Sequence, residues 1–452
     1  MRAFQKPAQK PAIGYWNPKT ETMPREQLQM LQLRKLQAMV RWAYDNSKLW
    51  QRKFDQVGLE PQDIRSLDDI QLIPFLTKEE FLNAQTSSPP FGDTLAAPSE
   101  LAVCYHQTSG TSSRVPLRAL DGRKDWEWQS EMWAYGLYAF GVRPKDICYL
   151  PFSYNVFIGF WGVHYGAEKI GAMVIPGGSQ SSESRLKQLV ELGATVVATT
   201  PTYAFRLAQY AEDLGIHLAH DSKVKMLILT SEPGANIPST KRMLEEVWGA
   251  RVGDFVGMTE AGTIVAYECS EQCGAAHIVE DHYYEEVIDP KTLKPLGYGQ
   301  KGERVMTSFG RGMMPVLRFR TGDLVEKVEA GYCSCGRTFD LYKGGVLGRT
   351  DDMKLIRGTN VYPSAVENIV REYKEIGEFQ IVLTREGYSD EITVQIEPRL
   401  DVPEERLDFL SLDVASDLAE AHEGLRFNVV IAERGTLPKF EVTSVRLQDL
   451  RI

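Results

Sequence analysis

Cysteine is scarce in this chain, with six in 452 residues, too few for a disulfide scaffold at this length. A long hydrophobic run is missing too. No stretch approaches the ~18 uninterrupted apolar residues of a membrane span, and the opening MRAFQKPAQKPAIGYW has no apolar core of signal-peptide length. The expectation is a soluble, cytoplasmic protein with no membrane partner. Positive charge is in deficit: 51 Lys and Arg stand against 61 Asp and Glu, a formal charge of −10. That balance argues against nucleic acid as the main partner, because backbone phosphates attract clustered cations. Internal repeats and low-complexity segments are absent as well. What remains is an ordinary globular composition, 43% hydrophobic and 25% charged, long enough for a large core and two or three domains.

The few cysteines are unevenly spread. Cys269 and Cys273 sit in ECSEQCGAAH with His277 following, and YCSCG supplies Cys333 and Cys335. Thiolate and imidazole donors in paired short spacings suit tetrahedral Zn²⁺, which takes four such ligands. Five candidates thus compete for four places. A closed four-ligand site would staple two loops and take no part in catalysis. The same residues can also serve as small buried hydrophobes in a reduced compartment.

Three zones separate along the chain. From Pro24 to Asp45, apolar Leu33, Leu36, Val40 and Ala43 recur at helical spacing. From Asp146 onward, the short apolar runs ICYLPF, AMVIPGG, ATVVATTP, KMLILTSEPG and RVGDFVG alternate with helical patterns over Ile158–Lys169, Ser182–Leu192, Pro201–Leu214 and Pro238–Trp248. That alternation predicts an α/β domain with a mainly parallel sheet covered by helices. Ligands of such sheets bind beyond the carboxyl ends of the strands. Glu232 in SEPG, and Thr259 and Glu260 in GMTE, fall at those ends. Near Gly348 the pattern changes. A strand, a turn and a helix from Pro363 precede a hairpin (FQIVLT, EITVQIEP), a helix over Pro403–Glu420 and a strand in RFNVVIAERG. These predict a small α+β domain. The division falls as 1–350 and 351–452.

The loop HQTSGTSSRVPLR offers hydroxyls and close backbone N–H groups, chemistry that suits phosphate oxygens. It has a single glycine and lacks the lysine that such loops usually carry. A hydroxyl and a carboxylate in tandem, as in GMTE, can hold a phosphate and its Mg²⁺. FRTGD adds an aspartate able to accept from a ribose diol. Each also reads as an ordinary surface turn.

In this order, HQTSGTSS, GMTE, FRTGD and GRTDDMKLIRGTNVYP resemble the adenylate-forming acyl- and aryl-CoA ligase superfamily, and more narrowly the phenylacetate–CoA ligase family. ETMPREQLQMLQLRKLQAMVRWAYDNSKLWQRKFDQVGL, IRSLDDIQLIPFLTKEEF and ERVMTSFGRGMMPVLRFRTGD are similar to that family too, so the resemblance covers nearly the whole chain. It implies a large N-terminal domain and a small mobile C-terminal one. It also implies conversion of a carboxylate, with ATP and Mg²⁺, to an acyl-adenylate and then to a thioester of coenzyme A. Thr108, Ser109, Gly110, Thr111 and Ser112 would meet the ATP phosphates, Thr259 the phosphate and Glu260 the Mg²⁺. Asp323 and Arg349 would hold the ribose, and Asp351 would be the hinge. Cys269, His277, Cys333 and Cys335 match zinc-ligand-like residues of some members, which leaves Cys273 spare. A homodimer is a further family expectation.

Two departures stand out. The family's C-terminal Pro-Arg followed by a Gly-Lys pair is replaced by LPKFEVTSV, so Lys439 matches the arginine while Val442 and Thr443 stand where Gly and the adenylation lysine belong. Adenylation is then slow, or draws on another cation such as Lys439, or the enzyme works mainly on the second half-reaction. Before the glycine of GMTE the family often has a base-stacking tyrosine, and here the aromatic candidate is Phe255. For the acid, LPFSYNVFIGFWGVHYG is dense in aromatic side chains. Phe152, Tyr154, Phe157 and His164 are the candidate contacts for an aryl or arylacetic acid. Rival readings are an adenylating enzyme with a carrier-protein thiol, amine or hydroxyl as acceptor, and a non-catalytic scaffold that retains the fold.

Overall fold

A computed structural model describes residues 14–108, 115–260, 262–350, 352–357, 359–386, 389–438 and 446–451. Ser109, Gly110, Thr111, Ser112, Asp351, Lys439, Val442 and Thr443 lie outside these residues.

The N-terminal helical prediction is met by a helix over Arg25–Asn46, which buries Leu28, Leu36, Met39, Val40 and Ala43 on one face. A second helix, Lys78–Ser87, starts where Thr77 and Glu80 form a reciprocal cap. The Thr77 hydroxyl accepts from Glu80 N at 3.2 Å, and Thr77 N donates to the Glu80 carboxylate at 2.8 Å. This capping box places Lys78 at the first helical position. A hairpin follows, β1 (Ala102–Gln107) and β2 (Arg118–Gly122), and the Ser/Thr/Gly cluster lies between them in sequence.

The main sheet then builds through β3 (Ile147–Leu150), β4 (Met173–Pro176), β5 (Val196–Thr199), β6 (Met226–Leu229) and β7 (Arg251–Met258), all parallel, in the order β4-β3-β5-β6-β7. Helices over Ile158–Ile170, Ser182–Glu191, Pro201–Asp213 and Pro238–Trp248 connect them. Strands β5 and β6, VVAT and MLIL, are buried at every position, as expected of parallel strands covered on both faces. The parallel pattern stops at β7. Strands β8 (Gly262–Tyr267), β9 (Ala275–Ile278), β10 (Tyr283–Ile288), β11 (Lys301–Ser308), β12 (Phe319–Val328) and β13 (Leu341–Lys343) continue the same sheet as antiparallel ladders, and β14 (Gly348–Arg349) pairs with β12.

Among the described residues the two larger hydrophobic cores are distinct, and a third, minor cluster joins Phe81, Leu117, Leu120, Met313 and Met314. The large one gathers residues from Leu28 to Tyr342. The small one joins Ile356, Val361, Phe379, Ile381, Val394, Leu410, Val414 and Phe427. Around the latter run the short pair β15 (Lys354–Ile356) and β16 (Thr359–Val361) and a four-stranded sheet of β17 (Ile376–Glu386), β18 (Ser389–Pro398), β19 (Asn428–Ile431) and β20 (Leu447–Asp449), ordered β19-β18-β17-β20. Helices Pro363–Val370 and Glu404–Ala421 complete this unit. The two units meet where the Pro238–Trp248 helix faces Pro363–Val370. There Ser239 Oγ donates to the Asn368 carbonyl at 2.7 Å, Arg242 pairs with Glu372, and Lys374 Nζ lies 2.7 Å from Glu246. No helix among the described residues is long and apolar enough to cross a membrane.

Candidate active site and metal centre

Strand β7 delivers Thr259 and Glu260 beyond the carboxyl end of the sheet, where ligands of such folds bind. Its Gly257 is required by packing, since a Cβ there would run into the carbonyl oxygen of Thr263. Glu260 is only 7% exposed, and its Oε1 lies 3.3 Å from Lys78 Nζ. Sequence reasoning did not single out Lys78. The only signal was the capping pattern TKEE, which says where a helix starts and nothing about what its first residue faces.

Asp323 and Arg349 are directly opposite each other across β12 and β14. Arg349 Nη1 donates to Asp323 Oδ1 at 3.3 Å, and Arg304 Nη1 donates to Asp323 Oδ2 at 3.2 Å. Gly322, with φ +75°, supplies the left-handed turn in RTGD, and its carbonyl accepts from Thr350 N at 2.7 Å. Burial pushes the Asp323 carboxyl above its ordinary range, opposed by the positive charges of Arg304 and Arg349, and Glu260 adds to the upward push. Asp323 and Glu260 are therefore neighbours in one electrostatic field. Arg304, fully buried, also binds Glu285 through Nε at 3.1 Å. It too escaped sequence reasoning, because a β-strand arginine gives no local sign of a buried partner.

The hairpin mouth is closed at Thr108, whose N–H donates to the Leu117 carbonyl at 2.9 Å while its hydroxyl accepts from Leu117 N at 3.0 Å. Two residues earlier, His106 is buried and stacked on Trp126, ring centroids 5.1 Å apart. Neither imidazole nitrogen has a partner among the described residues. Burial, with Arg311 nearby, lowers its pKa to about 4, so the ring is neutral at pH 7.

Glu232 follows Ser231, whose φ is +78°, and its Oε1 accepts from Thr202 N at 2.7 Å. The carboxylate thus satisfies the open first turn of the Pro201–Asp213 helix. Phe255 requires a correction. It stacks face to face on Trp133 (centroids 5.8 Å, planes 7° apart) and meets Phe140 edge-on at 6.0 Å. Alternation along β7 turns its ring to the helix-covered face, where it is a core side chain and not open to stack on a base.

Of the four acid-contact candidates, the structure brings two, Tyr154 and His164, into direct contact. Phe152 stacks on Phe160 at 4.3 Å and meets Tyr203 at 5.2 Å. The Tyr154 hydroxyl is 3.0 Å from His164 Nδ1, and His164 Nε2 lies 3.3 Å from Glu168 one turn on. His164 is thus engaged on both nitrogens. Phe157, at the start of the Ile158–Ile170 helix, is exposed.

Away from these groups, the donor atoms of Cys269, His277, Cys333 and Cys335 all lie within 4.8 Å of one another, and all four residues are buried. Cys269 Sγ is 3.7 Å from Cys333 Sγ, and Cys335 Sγ is 3.3 Å from His277 Nε2. Four soft donors at tetrahedral-edge separations fit Zn²⁺, for which Zn–S is ~2.3 Å and Zn–N ~2.0 Å. All six cysteines are free thiols. Cys273 stands outside the group, with Sγ 3.8 Å from the Ala275 carbonyl. The antiparallel turn of the sheet makes the cluster, since Leu341 of β13 sits opposite His277 of β9. Tyr15 ties the chain start to it by donating to the Cys335 carbonyl at 2.6 Å.

A large helix-covered sheet domain followed by a small α+β unit is typical of AMP-binding enzymes. The AMP-binding enzyme family model matches residues 127–316, and the AMP-binding enzyme C-terminal domain matches 358–451. Within that class the chain belongs to the phenylacetate–coenzyme A ligase family. It is 34% identical to phenylacetate-coenzyme A ligase of Thermus thermophilus over 84% of each chain. It is 30% identical to that of Escherichia coli over 95% of this chain and 97% of the relative. Among solved structures, 2-hydroxyisobutyryl-CoA ligase is 29% identical. In its postadenylation state with 2-HIB-AMP it superposes with a TM-score of 0.91, covering 97% of this chain and 93% of that one. In its thioesterification state with CoA the score is 0.73, covering 97% and 92%. Since the relative is the same, the small unit here is docked as in the former state.

Proposed function

We propose that the protein is an ATP-dependent acid–thiol ligase that activates an aromatic carboxylic acid and transfers its acyl group to coenzyme A. In the first half-reaction a carboxylate oxygen attacks the α-phosphorus of ATP. An acyl–O–P bond forms, the bond to the bridging oxygen breaks, and pyrophosphate leaves. In the second, the thiol of CoA gives up its proton and its sulfur attacks the acyl carbon, expelling AMP. The convergence of Glu260, Lys78 and the Arg304–Asp323–Arg349 group at the strand ends carries this reading.

Negative charge accumulates on the phosphates during the first step, so preorganised donors and cations there lower the barrier. Thr108 through Ser112 and Thr259 offer hydroxyl and N–H donors. Glu260 is the residue to hold Mg²⁺, which when bound neutralises phosphate charge. Asp323, held by two guanidiniums, accepts from the ribose diol, and Arg349 supports it. Lys78 brings a cation to this corner, on an element unrelated to the segment where Thr443 replaces the expected lysine. Lys439 is a second candidate from that segment. Phe152 and Tyr154 offer the aromatic surface for the acid, with His164 and Phe157 at its edge. Asp351 is the hinge between an ATP- and acid-binding unit, 1–350, and a mobile unit, 351–452. Cys269, His277, Cys333 and Cys335 hold a structural Zn²⁺.

Mass spectrometry of products after incubation with ATP, Mg²⁺ and a panel of aryl acids tests the reading. Acyl-adenylate without CoA, and thioester plus AMP with it, are expected. Adenylate that forms but is discharged only by a carrier-protein thiol, an amine or a hydroxyl would change the acceptor, and absence of adenylate with every acid would sink the reading.

A further inference from the structure

Arg311 is fully buried, and no role attaches to it from the stretch ERVMTSFGRGMMPVLRFRTGD in which it lies. Its guanidinium divides its donors between two separate pieces of chain. Nε and Nη2 bind the Asp121 carboxylate at 2.9 and 3.0 Å, a bidentate pair. Nη1 donates to the carbonyl oxygens of both Thr259 and Glu260, at 2.7 and 2.9 Å. Asp121 belongs to β2, the return strand of the hairpin whose mouth opens at Thr108 and Leu117. Gln129 donates to the same Asp121 carboxylate at 2.7 Å, which holds it in place.

The backbone around Arg311 is stitched to the same hairpin and to the Arg123–Phe140 helix that follows it. Gly312 N and Met313 N donate to Asp125 at 2.7 and 3.2 Å, and Leu120 N lies 3.1 Å from Met314 Sδ. Arg311 is thereby fixed to the hairpin while its Nη1 grips the turn at the end of β7. One rigid, planar group sets the spacing between the two. A lysine offers a single nitrogen and cannot make both the bidentate and the twin-carbonyl contact.

We propose that Arg311 is a positioning residue for adenylation: through Asp121 and the Thr259–Glu260 carbonyls it sets the distance between Thr108, at the hairpin mouth, and the carboxylate of Glu260. This rests on the adenylation reading above. The effect falls on the first half-reaction, because only that step needs Thr108 and the Glu260 carboxylate to meet a triphosphate together. The second starts from a formed adenylate with pyrophosphate gone. A misplacement of order 1 Å at such a site costs on the order of 10²-fold in rate.

The test compares both half-reactions in one preparation of R311K and, separately, of D121N. Adenylation is read as ATP–pyrophosphate exchange over a Mg²⁺ titration. Thioester formation is read from supplied acyl-adenylate and CoA. The ratio of the two rates cancels any loss of folded protein. The expected result is a ratio reduced by about 10- to 100-fold in R311K, with half-maximal exchange moved to higher Mg²⁺, and a smaller reduction in D121N. A wild-type ratio in R311K, with exchange and thioester formation falling together or not at all, overturns the positioning role and leaves adenylation standing. Absence of exchange in the unsubstituted protein with every acid defeats the adenylation reading and this inference with it.

Discussion

Lys78 Nζ, at the first position of a capped N-terminal helix, stands 3.3 Å from Oε1 of Glu260 at the end of β7. The contact brings a cation to the corner where the phosphates are proposed to sit, in a chain whose C-terminal segment has Thr443 in place of a lysine.

Lys78→Ala is expected to slow ATP–pyrophosphate exchange by about 10²-fold, the cost of removing one preorganised electrostatic contact. Thioester formation from supplied acyl-adenylate should change little. Lys78→Arg should recover part of the exchange. Equal loss in both half-reactions would mean that Lys78 only supports the fold.

Purified protein should carry about one zinc per chain by elemental analysis, as a tetrahedral Cys₃His group predicts. Cys335→Ser should lose the metal and lower the melting temperature, because metal binding to a buried site is folding free energy. Cys273→Ser should keep both. Zinc retained at wild-type level in Cys335→Ser would exclude this ligand set.

His106 is neutral in the fold, with its pKa held at about 4 by burial first and Arg311 second. The unfolded chain takes up the proton near pH ~6.5. The folded pKa is the lower one, so stability is full above about 6.5 and is lost as pH falls toward about 4. Over that window the loss amounts to about 3 kcal/mol. His106→Gln should flatten this acid limb in denaturant titrations at pH 7.5 and 5. An unchanged slope would count against His106 as its source.

The Arg242–Glu372 and Glu246–Lys374 pairs bridge the two units in the docked arrangement. Exposed pairs contribute little each, ~0.2–1 kcal/mol. Reversing both on the small unit, Glu372→Lys with Lys374→Glu, sets like charges against each other. Exchange should fall about threefold, thioester formation from adenylate should hold or rise, and added salt should restore wild-type behaviour. A variant insensitive to salt would argue against the clasp.

Much of the fold was legible because its signals are local. The βα alternation gave the parallel half of the sheet, and prolines at helix starts placed Pro201–Asp213 and Pro238–Trp248 nearly to the residue and the start of the Pro363–Val370 helix. The β1–β2 hairpin, the antiparallel half from β8 to β13 and the late strand β20 went unseen. Their pairing depends on partners far along the chain. β20, for instance, runs parallel to β17 from beyond the Glu404–Ala421 helix.

The site divides the same way. The order of HQTSGTSS, GMTE, FRTGD and GRTDD, the paired cysteine spacings and the charge balance were determined by sequence alone, since turn chemistry and ligand type are properties of neighbouring residues. Which donors share one metal-sized space, which face of β7 takes Phe255, and that Lys78, Arg304 and Arg311 converge on Glu260, Asp323 and Asp121 were decided only in three dimensions. A buried cation is tolerated where its counter-charges lie, and those counter-charges come from strands brought together by the sheet.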